Sequence, residues 1–104
     1  MSSKFLKVEI SAETKDNADE ILNSLLNKKL VTGGQFIHAP ARFLWKGKIE
    51  DIDYFTITSF TLEKHKESII AEVKKVSIED FPMITFTPFD CNEELQKWIV
   101  QTVA

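Results

Sequence analysis

Apolar and polar residues alternate at the start of the chain and then recur at a longer interval. The alternation runs from Phe5 to Ile10 and predicts a half-buried β-strand. A polar stretch from Ser11 to Asn17 follows and offers Ser11 and Thr14 as helix caps. Apolar residues at helical spacing then predict a helix that ends near Leu30: Ala18, Ile21, Leu22, Leu25 and Leu26.

The middle of the chain predicts one long β-hairpin. Gly33-Gly34 break the chain, and Gln35 to Leu44 and Asp51 to Thr61 have an extended pattern rich in β-branched and aromatic residues. Lys46-Gly47 suits a two-residue turn, with Trp45 at its neck, because glycine tolerates positive φ. Each arm has about ten residues, against roughly five or six in an ordinary strand. Because such arms expose backbone edges, we expect the hairpin to reach beyond its own subunit and pair with a neighbour.

The second half of the chain predicts two helices around a fourth strand. Thr61 is a candidate cap for a helix with this apolar stripe: Ile69, Ile70, Val73 and Val76. Pro82 ends the helical pattern, and Met83 to Phe89 alternates as a strand does. Asp90 and Glu93 have capping-box spacing. They precede a short final helix with one apolar face: Leu95, Trp98, Ile99, Thr102 and Val103.

The predicted order is β-α-β-β-α-β followed by a terminal helix. This order places the chain in the α+β class and favours a ferredoxin-like sandwich, an antiparallel sheet with helices on one face. We expect residues 1–104 to form one domain, since the length is typical of a single domain and no linker interrupts it.

Composition and charge exclude several classes of function. The net charge is −3 at pH 7, and no basic stripe argues for nucleic acid. No apolar run approaches the roughly 20 residues that span a bilayer, and the amino-terminal stretch lacks the apolar core of a signal peptide. Cys91 is the one cysteine, so no internal disulfide is expected. A cytoplasmic protein that contacts neither nucleic acid nor membrane is therefore predicted.

The hairpin turn carries a family resemblance. Trp45-Lys46-Gly47-Lys48-Ile49-Glu50 resembles the Trp-x-Gly-Lys-Ile/Leu-Glu signature of the CutA-like divalent-cation tolerance proteins. Leu25 to Leu30, Pro82 and Leu95 to Ile99 resemble the same family, so the likeness runs from about Phe5 to Val103. The resemblance implies a homotrimer in which neighbouring hairpins pair, and a non-enzymatic role in divalent-cation tolerance of the copper type. The PII signalling proteins share such a scaffold and hold small ligands between subunits.

The chain departs from the family pattern around the expected pocket. The family usually has Cys, Lys, His, Tyr and Glu at the positions occupied here by Gly33, Phe60, Ser77, Glu79 and Met83. These departures indicate a divergent member that binds Cu(II) or another divalent cation weakly, or that takes another ligand.

Trp45 and the lysines of the turn are ligand or interface candidates. Trp45 is expected first as an anchor that packs against a neighbouring subunit, and second as a ligand contact. Lys46 and Lys48 can attract a small anionic ligand, although charged hairpin residues usually serve to deter stray edge pairing.

Carboxylates flank the turn and the fourth strand. Glu50, Asp51 and Asp53 form an acidic run that suits a weakly bound hard cation, or simply a solvated face. Glu79 and Asp80 are adjacent acids in the stretch that corresponds to the family's pocket, which makes Glu79 a candidate ligand contact.

Soft-metal ligands and catalytic groups are scarce. His38, His65 and Cys91 show no short paired spacing, so no metal ligand is assigned, and His65 is expected to be exposed. No nucleophile–base arrangement and no phosphate-binding loop is suggested, so no catalytic residue is assigned. Two functions stay open: a trimeric cation-tolerance protein, and a PII-like sensor or interaction scaffold that binds a small anion between subunits.

Overall fold

The computed structural model describes residues 4–104 and consists of four strands and three α-helices. The strands are β1 (Phe5–Ala12), β2 (Gly34–Trp45), β3 (Lys48–Leu62) and β4 (Ile84–Pro88). The helices are α1 (Lys15–Asn27), α2 (Lys66–Val76), which follows a 3-10 turn at Glu63–His65, and α3 (Glu93–Val103). The sheet is antiparallel in the order β2-β3-β1-β4, which confirms the predicted ferredoxin-like topology. Met1, Ser2 and Ser3, at the end where no signal peptide is expected, lie outside the described residues.

Helices α1 and α2 cover one face of the sheet. Alternate residues of β1 point toward them, and Val8 and Ile10 are completely buried. Ile57 of β3, opposite Ile10, joins the same core. The helices complete it with their apolar stripes, buried at Ala18, Ile21, Leu22, Leu25, Ile69 and Val73. The period-two and helical patterns thus bury their residues against one another, as predicted.

Helix α3 packs on the opposite face of the sheet. Phe5 and Leu62 are paired across β1 and β3, and they contact Ile99 and Val103 of α3. Phe5 neighbours Leu6 in the alternation of β1, so its side chain points away from α1 and α2. Only one end of this second face is covered, and the other end is open beside the hairpin.

Of the four predicted caps, Thr14 is confirmed, whereas Ser11, which lies within β1, Thr61 and the capping box at Asp90 are wrong. The hydroxyl of Thr14 accepts the backbone N–H of Asn17 at 3.0 Å and caps α1. Thr61 instead lies buried within β3, where its hydroxyl donates to the Leu30 carbonyl at 2.6 Å. Asn92 precedes α3, and Asp90 accepts the Cys91 N–H at 2.9 Å, so no capping box forms.

The hairpin is longer than predicted. Strands β2 and β3 have 12 and 15 residues, and the molecule extends 44 Å along its longest axis. Lys46 and Gly47 form the turn with φ values of 49° and 80°, the left-handed pair that matches the strand twist in a two-residue hairpin. Leu44 and Ile49 face each other just inside the turn and are 75% and 74% exposed. The end of the hairpin therefore presents apolar side chains that no part of the described chain covers.

A buried carboxylate joins α1 to α2. Lys28 donates to Glu72 Oε1 at 2.7 Å, and the Ser24 hydroxyl donates to Glu72 Oε2. The hydrogen bond from Lys28, followed by that from Ser24, lowers the pKa of Glu72 below its ordinary value. The negative charge at this position is therefore favoured by the folded state.

We expect Glu72→Gln to lower the stability of the fold near neutral pH and to have less effect in acid. A carboxyl whose folded pKa is depressed stabilises the native state above its unfolded pKa, about 4.3, and loses that contribution as pH falls through the folded pKa. Thermal denaturation of both proteins from about pH 7 down to about pH 3 checks this. Glu20→Gln, on the exposed side of α1, is the matched control. An equal gap between variant and wild type at every pH would contradict the assignment.

Candidate functional site

A cleft of about 410 Å³ lies beside the hairpin, on the open face of the sheet. One wall is the end of the hairpin, and the other is the segment between α2 and β4. Glu50, Ile52 and Tyr54 alternate along β3 and so share one face of it. The apolar lining comes from both walls: Phe43, Leu44, Trp45, Ile52, Ile78, Phe81 and Met83. We call this the hairpin cleft.

The segment after α2 is fixed by hydrogen bonds at both ends. Near α2, the buried side chain of Asn17 donates to the Val76 carbonyl at 3.1 Å and accepts the Ile78 N–H at 3.2 Å. Near β4, Met83 donates its N–H to the Ser11 hydroxyl at 2.9 Å and accepts the Ser11 N–H at 3.0 Å. The wall of the cleft that is formed by the segment between α2 and β4 is thus held by hydrogen bonds to α1 and β1.

Ser11 also orients the carboxylate at the centre of the cleft. Its hydroxyl donates to Glu79 Oε2 at 2.9 Å. The other oxygen, Glu79 Oε1, is buried and receives no hydrogen bond of ordinary geometry from residues 4–104. A buried acceptor without a donor costs free energy, which makes this atom the least satisfied group of the cleft.

Tyr54 lies next to Glu79. Burial raises the pKa of Tyr54 well above its ordinary value, and the approach of its hydroxyl to Glu79, together with the charges of Glu79 and Glu13, raises that pKa further. Tyr54 therefore remains a protonated phenol at neutral pH.

Aromatic rings line the cleft on both sides. Trp45 and Phe81 approach across it with ring centroids 5.3 Å apart, and Phe43 meets Tyr54 edge to face at 5.3 Å. Phe81 is 59% exposed, so its ring is accessible from solvent. These contacts give the cleft extended π surfaces close to its carboxylates.

The charged residues that line the cleft are all acidic: Glu13, Glu50, Glu79 and Asp80. Lys46 is not among the lining residues, and its ammonium lies over the ring of Trp45, 5.4 Å from the centroid. The electrostatic character of the cleft therefore favours a cation over an anion.

Three of the four candidate residues from the sequence meet at this cleft. Trp45, Glu50 and Glu79 line it, whereas Lys48 is exposed beside the turn and does not. Sequence reasoning missed Tyr54 and Phe81. Tyr54 lies two and four residues after Ile52 and Glu50, so strand alternation from Glu50 was the signal that could have found it.

The positions that depart from the family pattern do not all lie together. Glu79 and Met83 line the cleft, and the Ser77 hydroxyl accepts the N–H of Glu79 at 3.1 Å. Phe60 packs against Phe89 under α3, with ring centroids 5.1 Å apart, and Gly33 precedes β2 with a φ of 125°. The changes at the cleft therefore come from the segment before β4.

The histidines and the cysteine lie apart from the cleft. His38 stacks on Phe55 at 4.3 Å between ring centroids. His65 was expected to be exposed, which is wrong, since it is half-buried and its Nε2 is bonded to the Val103 carbonyl. Within residues 4–104, no group of three or more His, Cys, Asp or Glu side chains is arranged to hold a metal ion. In the same range, no helix is long and apolar enough to cross a membrane.

The fold and the overlong hairpin define the class of protein, and a family model then identifies it. The chain is an α+β protein whose ferredoxin-like sheet extends into a projecting hairpin. The CutA1 divalent ion tolerance protein model matches residues 6–102, and the chain belongs to that family. The resemblance at the hairpin turn is thereby confirmed.

Solved structures show the same fold. The periplasmic divalent cation tolerance protein CutA from Archaeoglobus fulgidus is 28% identical over 96% of this chain and 99% of its own, with a TM-score of 0.91. CutA1 from Oryza sativa is 16% identical over 99% of this chain and 96% of its own, with a TM-score of 0.92. CutA1 from Ehrlichia chaffeensis is 19% identical over 100% and 98%, with a TM-score of 0.89. A comparison with curated protein sequences gives no significant match.

Proposed function

We propose that this CutA1-family chain is a non-enzymatic cytoplasmic protein that acts in divalent-cation tolerance as a homotrimer. Cu(II) or another divalent cation would bind weakly at or between the subunits. Membership of the CutA1 family supports the cation-tolerance role. The free thiol of Cys91 is consistent with a reducing compartment.

The main support for a trimer is the hairpin, whose end is not covered by the rest of the described chain. Its 15-residue strand β3 runs well past the sheet, and Leu44 and Ile49 are about three-quarters exposed at its end. A soluble protein usually covers a long apolar edge, and the simplest cover is a second copy that presents the same surface. A closed ring of three copies would bury all three hairpins equivalently.

The acidic lining of the hairpin cleft favours a cation-binding role over the alternative of a PII-like sensor for a small anion. An anionic ligand in the cleft would meet the carboxylates of Glu13, Glu50, Glu79 and Asp80. Lys46 and Lys48, which motivated the anion hypothesis, lie outside the lining.

We expect native mass spectrometry of the untagged protein to give a trimer that takes up Cu(II) or Zn(II) in whole multiples of its three subunits. A site within each subunit, or between each pair of neighbouring subunits, occurs three times in a closed trimer, so its metal uptake follows the subunit count. A monomer at micromolar concentration would refute the proposal at its base. A trimer without metal uptake, but with thermal shifts on addition of nucleotides, would instead favour the anion-binding scaffold.

A further inference from the structure

We infer that His38 and Asp53 together bind a Cu(II) or Zn(II) ion on the hairpin, with Cu(II) bound more tightly. This inference rests on the proposed function, because it assigns the weakly bound divalent cation to particular side chains of this chain. His38 Nε2 lies 3.8 Å from Asp53 Oδ2. Within residues 4–104, this is the one ion pair that combines a histidine with a carboxylate.

The pair lies on a different part of the hairpin from the cleft and from the exposed hairpin end. Asp53 stands between Ile52 and Tyr54 in β3, so its side chain points to the opposite face of the sheet from those two cleft residues. His38 and Leu44 lie about 20 Å apart along β2, at roughly 3.3 Å for each residue between them. A metal ion at this pair would therefore occupy neither the cleft nor the apolar surface assigned to assembly.

The two paired strands hold the ligands in a fixed relation. His38 pairs with Phe55 and Pro40 pairs with Asp53, so His38 and Asp53 are diagonal neighbours on one face of the hairpin. The His38 ring stacks on Phe55 with the centroids 4.3 Å apart and the planes within 9°, and Phe55 in turn packs against the core. Stacking covers one face of the imidazole and fixes its plane, yet the side chain is still 55% exposed. His38 thus presents a positioned nitrogen ligand that a metal ion can reach.

The distance between the two atoms suits a shared metal ion. Bonds of about 2.0–2.2 Å from Zn(II) to nitrogen and oxygen, at a tetrahedral angle, place the two ligand atoms about 3.4 Å apart. The observed 3.8 Å is only slightly longer, and rotation of the Asp53 side chain, which is 70% exposed, can close the difference. Two protein ligands leave the rest of the coordination shell to water, so the site binds weakly, unlike a closed structural centre.

The chemistry of this pair selects a borderline metal over a hard one. Imidazole nitrogen suits Cu(II) and Zn(II), and a given site of this type usually holds Cu(II) more tightly than Zn(II). Calcium and magnesium require about six oxygen ligands or more, which His38 and Asp53 do not supply. The other histidine is engaged elsewhere, since His65 Nε2 is bonded to the Val103 carbonyl. His38 is therefore the imidazole of this chain that is available to a metal ion.

Substoichiometric Cu(II), added to the untagged, isotope-labelled protein, tests the proposal without any variant. The titration is run at about pH 7.5, where an ordinary histidine is largely neutral and can ligate a metal. Bound Cu(II) is paramagnetic and broadens the NMR resonances nearest to it, so we expect those of His38 and Asp53 to disappear first. Zn(II) should shift the same resonances at higher concentration, and Mg(II) should not. Broadening centred on His65, on Cys91 or on the residues of the hairpin cleft overturns the proposal.

Substitutions of the two ligands identify the bound atoms. His38→Phe keeps an aromatic ring on Phe55 but removes the nitrogen ligand, and we expect the Cu(II) affinity measured by isothermal titration calorimetry to fall at least about tenfold. Asp53→Asn removes the charged oxygen, and we expect a several-fold loss. Asp51→Asn is the matched control, because it removes the same charge from a carboxylate that is bonded to Arg42 at 2.6 Å, and it should leave Cu(II) binding largely unchanged. Unaltered affinity in His38→Phe overturns the proposal.

The same measurements separate this inference from the proposed function. A trimer that takes up Cu(II), with broadening centred away from His38, would refute the metal site at His38 and Asp53 and leave the trimeric cation-tolerance mechanism in place. A monomer in which Cu(II) broadens His38 and Asp53 first would support the metal site and refute the trimeric mechanism.

Discussion

Replacement of Leu44 and Ile49 together by aspartate is expected to convert the proposed trimer into folded monomers. The two side chains face each other across the hairpin and are 75% and 74% exposed in the single chain. Burial of each against a neighbouring copy contributes about 1.5–3 kcal/mol of hydrophobic free energy, repeated in every subunit. Aspartate would forfeit that contribution and place unpaired carboxylates in the interface, at a further cost.

Sedimentation equilibrium across a range of protein concentrations measures this effect. Ser68→Asp with Ala71→Asp is a matched control, because it adds the same two charges to exposed positions on α2. The control should remain trimeric. The far-ultraviolet circular dichroism of the hairpin variant should match that of the wild type, since neither leucine nor isoleucine contributes to the core of its own chain. A hairpin variant that stays trimeric would show that the hairpin end is not the assembly surface.

The hairpin was predictable because its signals are local. Extended arms and a Lys46-Gly47 turn suffice to specify two paired strands, and the turn fixes the register in which Trp45 pairs with Lys48. The strands nevertheless exceed the predicted arms by a few residues. Gly34 at one end and Leu62 at the other belong to the strands because each pairs with a residue of a neighbouring strand. The pattern within one strand does not reveal such pairing.

The role of Ser11 was not predictable because it depends on contacts between distant segments. The polar stretch after β1 suggested a helix cap, yet Ser11 lies in the strand and joins Met83 to Glu79. These partners are 72 and 68 residues away along the chain. A serine in a polar stretch can cap a helix or can lie in a strand and bind a distant loop. The local sequence is the same in both cases, so only the tertiary structure distinguishes the two roles.

For α3 too, the sequence predicts the helix but not its place in the fold. Its apolar face, with Ile99 and Val103, was predicted from helical spacing, and in the structure that face packs against the sheet. Amphipathic spacing does not specify which face of the sheet receives the helix. Phe5 and Leu62, on the face away from α1 and α2, make that choice. His65 then bonds to the end of α3, which explains why a histidine in a polar 3-10 turn is half-buried.

Gly34→Ala is expected to lower the stability of the fold more than the other glycine-to-alanine substitution in the hairpin, Gly47→Ala. Gly34 begins β2 opposite Ser59, and a Cβ at this position would lie 2.4 Å from the backbone carbonyl oxygen of Thr58. A carbonyl inside a paired strand cannot move aside as a flexible side chain can. The neighbouring Ser59 hydroxyl is also bonded to the Gly33 carbonyl. We expect a cost of about 3 kcal/mol, the upper part of the range for overpacking.

Gly47→Ala is the matched control for this prediction. Its Cβ would meet open space, and its φ of 80° imposes strain of about 1–2 kcal/mol on an alanine. Both variants reduce the freedom of the unfolded chain by the same glycine-to-alanine change, so the difference between them isolates the clash in the folded state. Urea denaturation at one fixed protomer concentration gives that difference with the same concentration dependence of assembly for both variants. If Gly34→Ala unfolds at the same urea concentration as Gly47→Ala, the close approach of β2 to Thr58 is refuted.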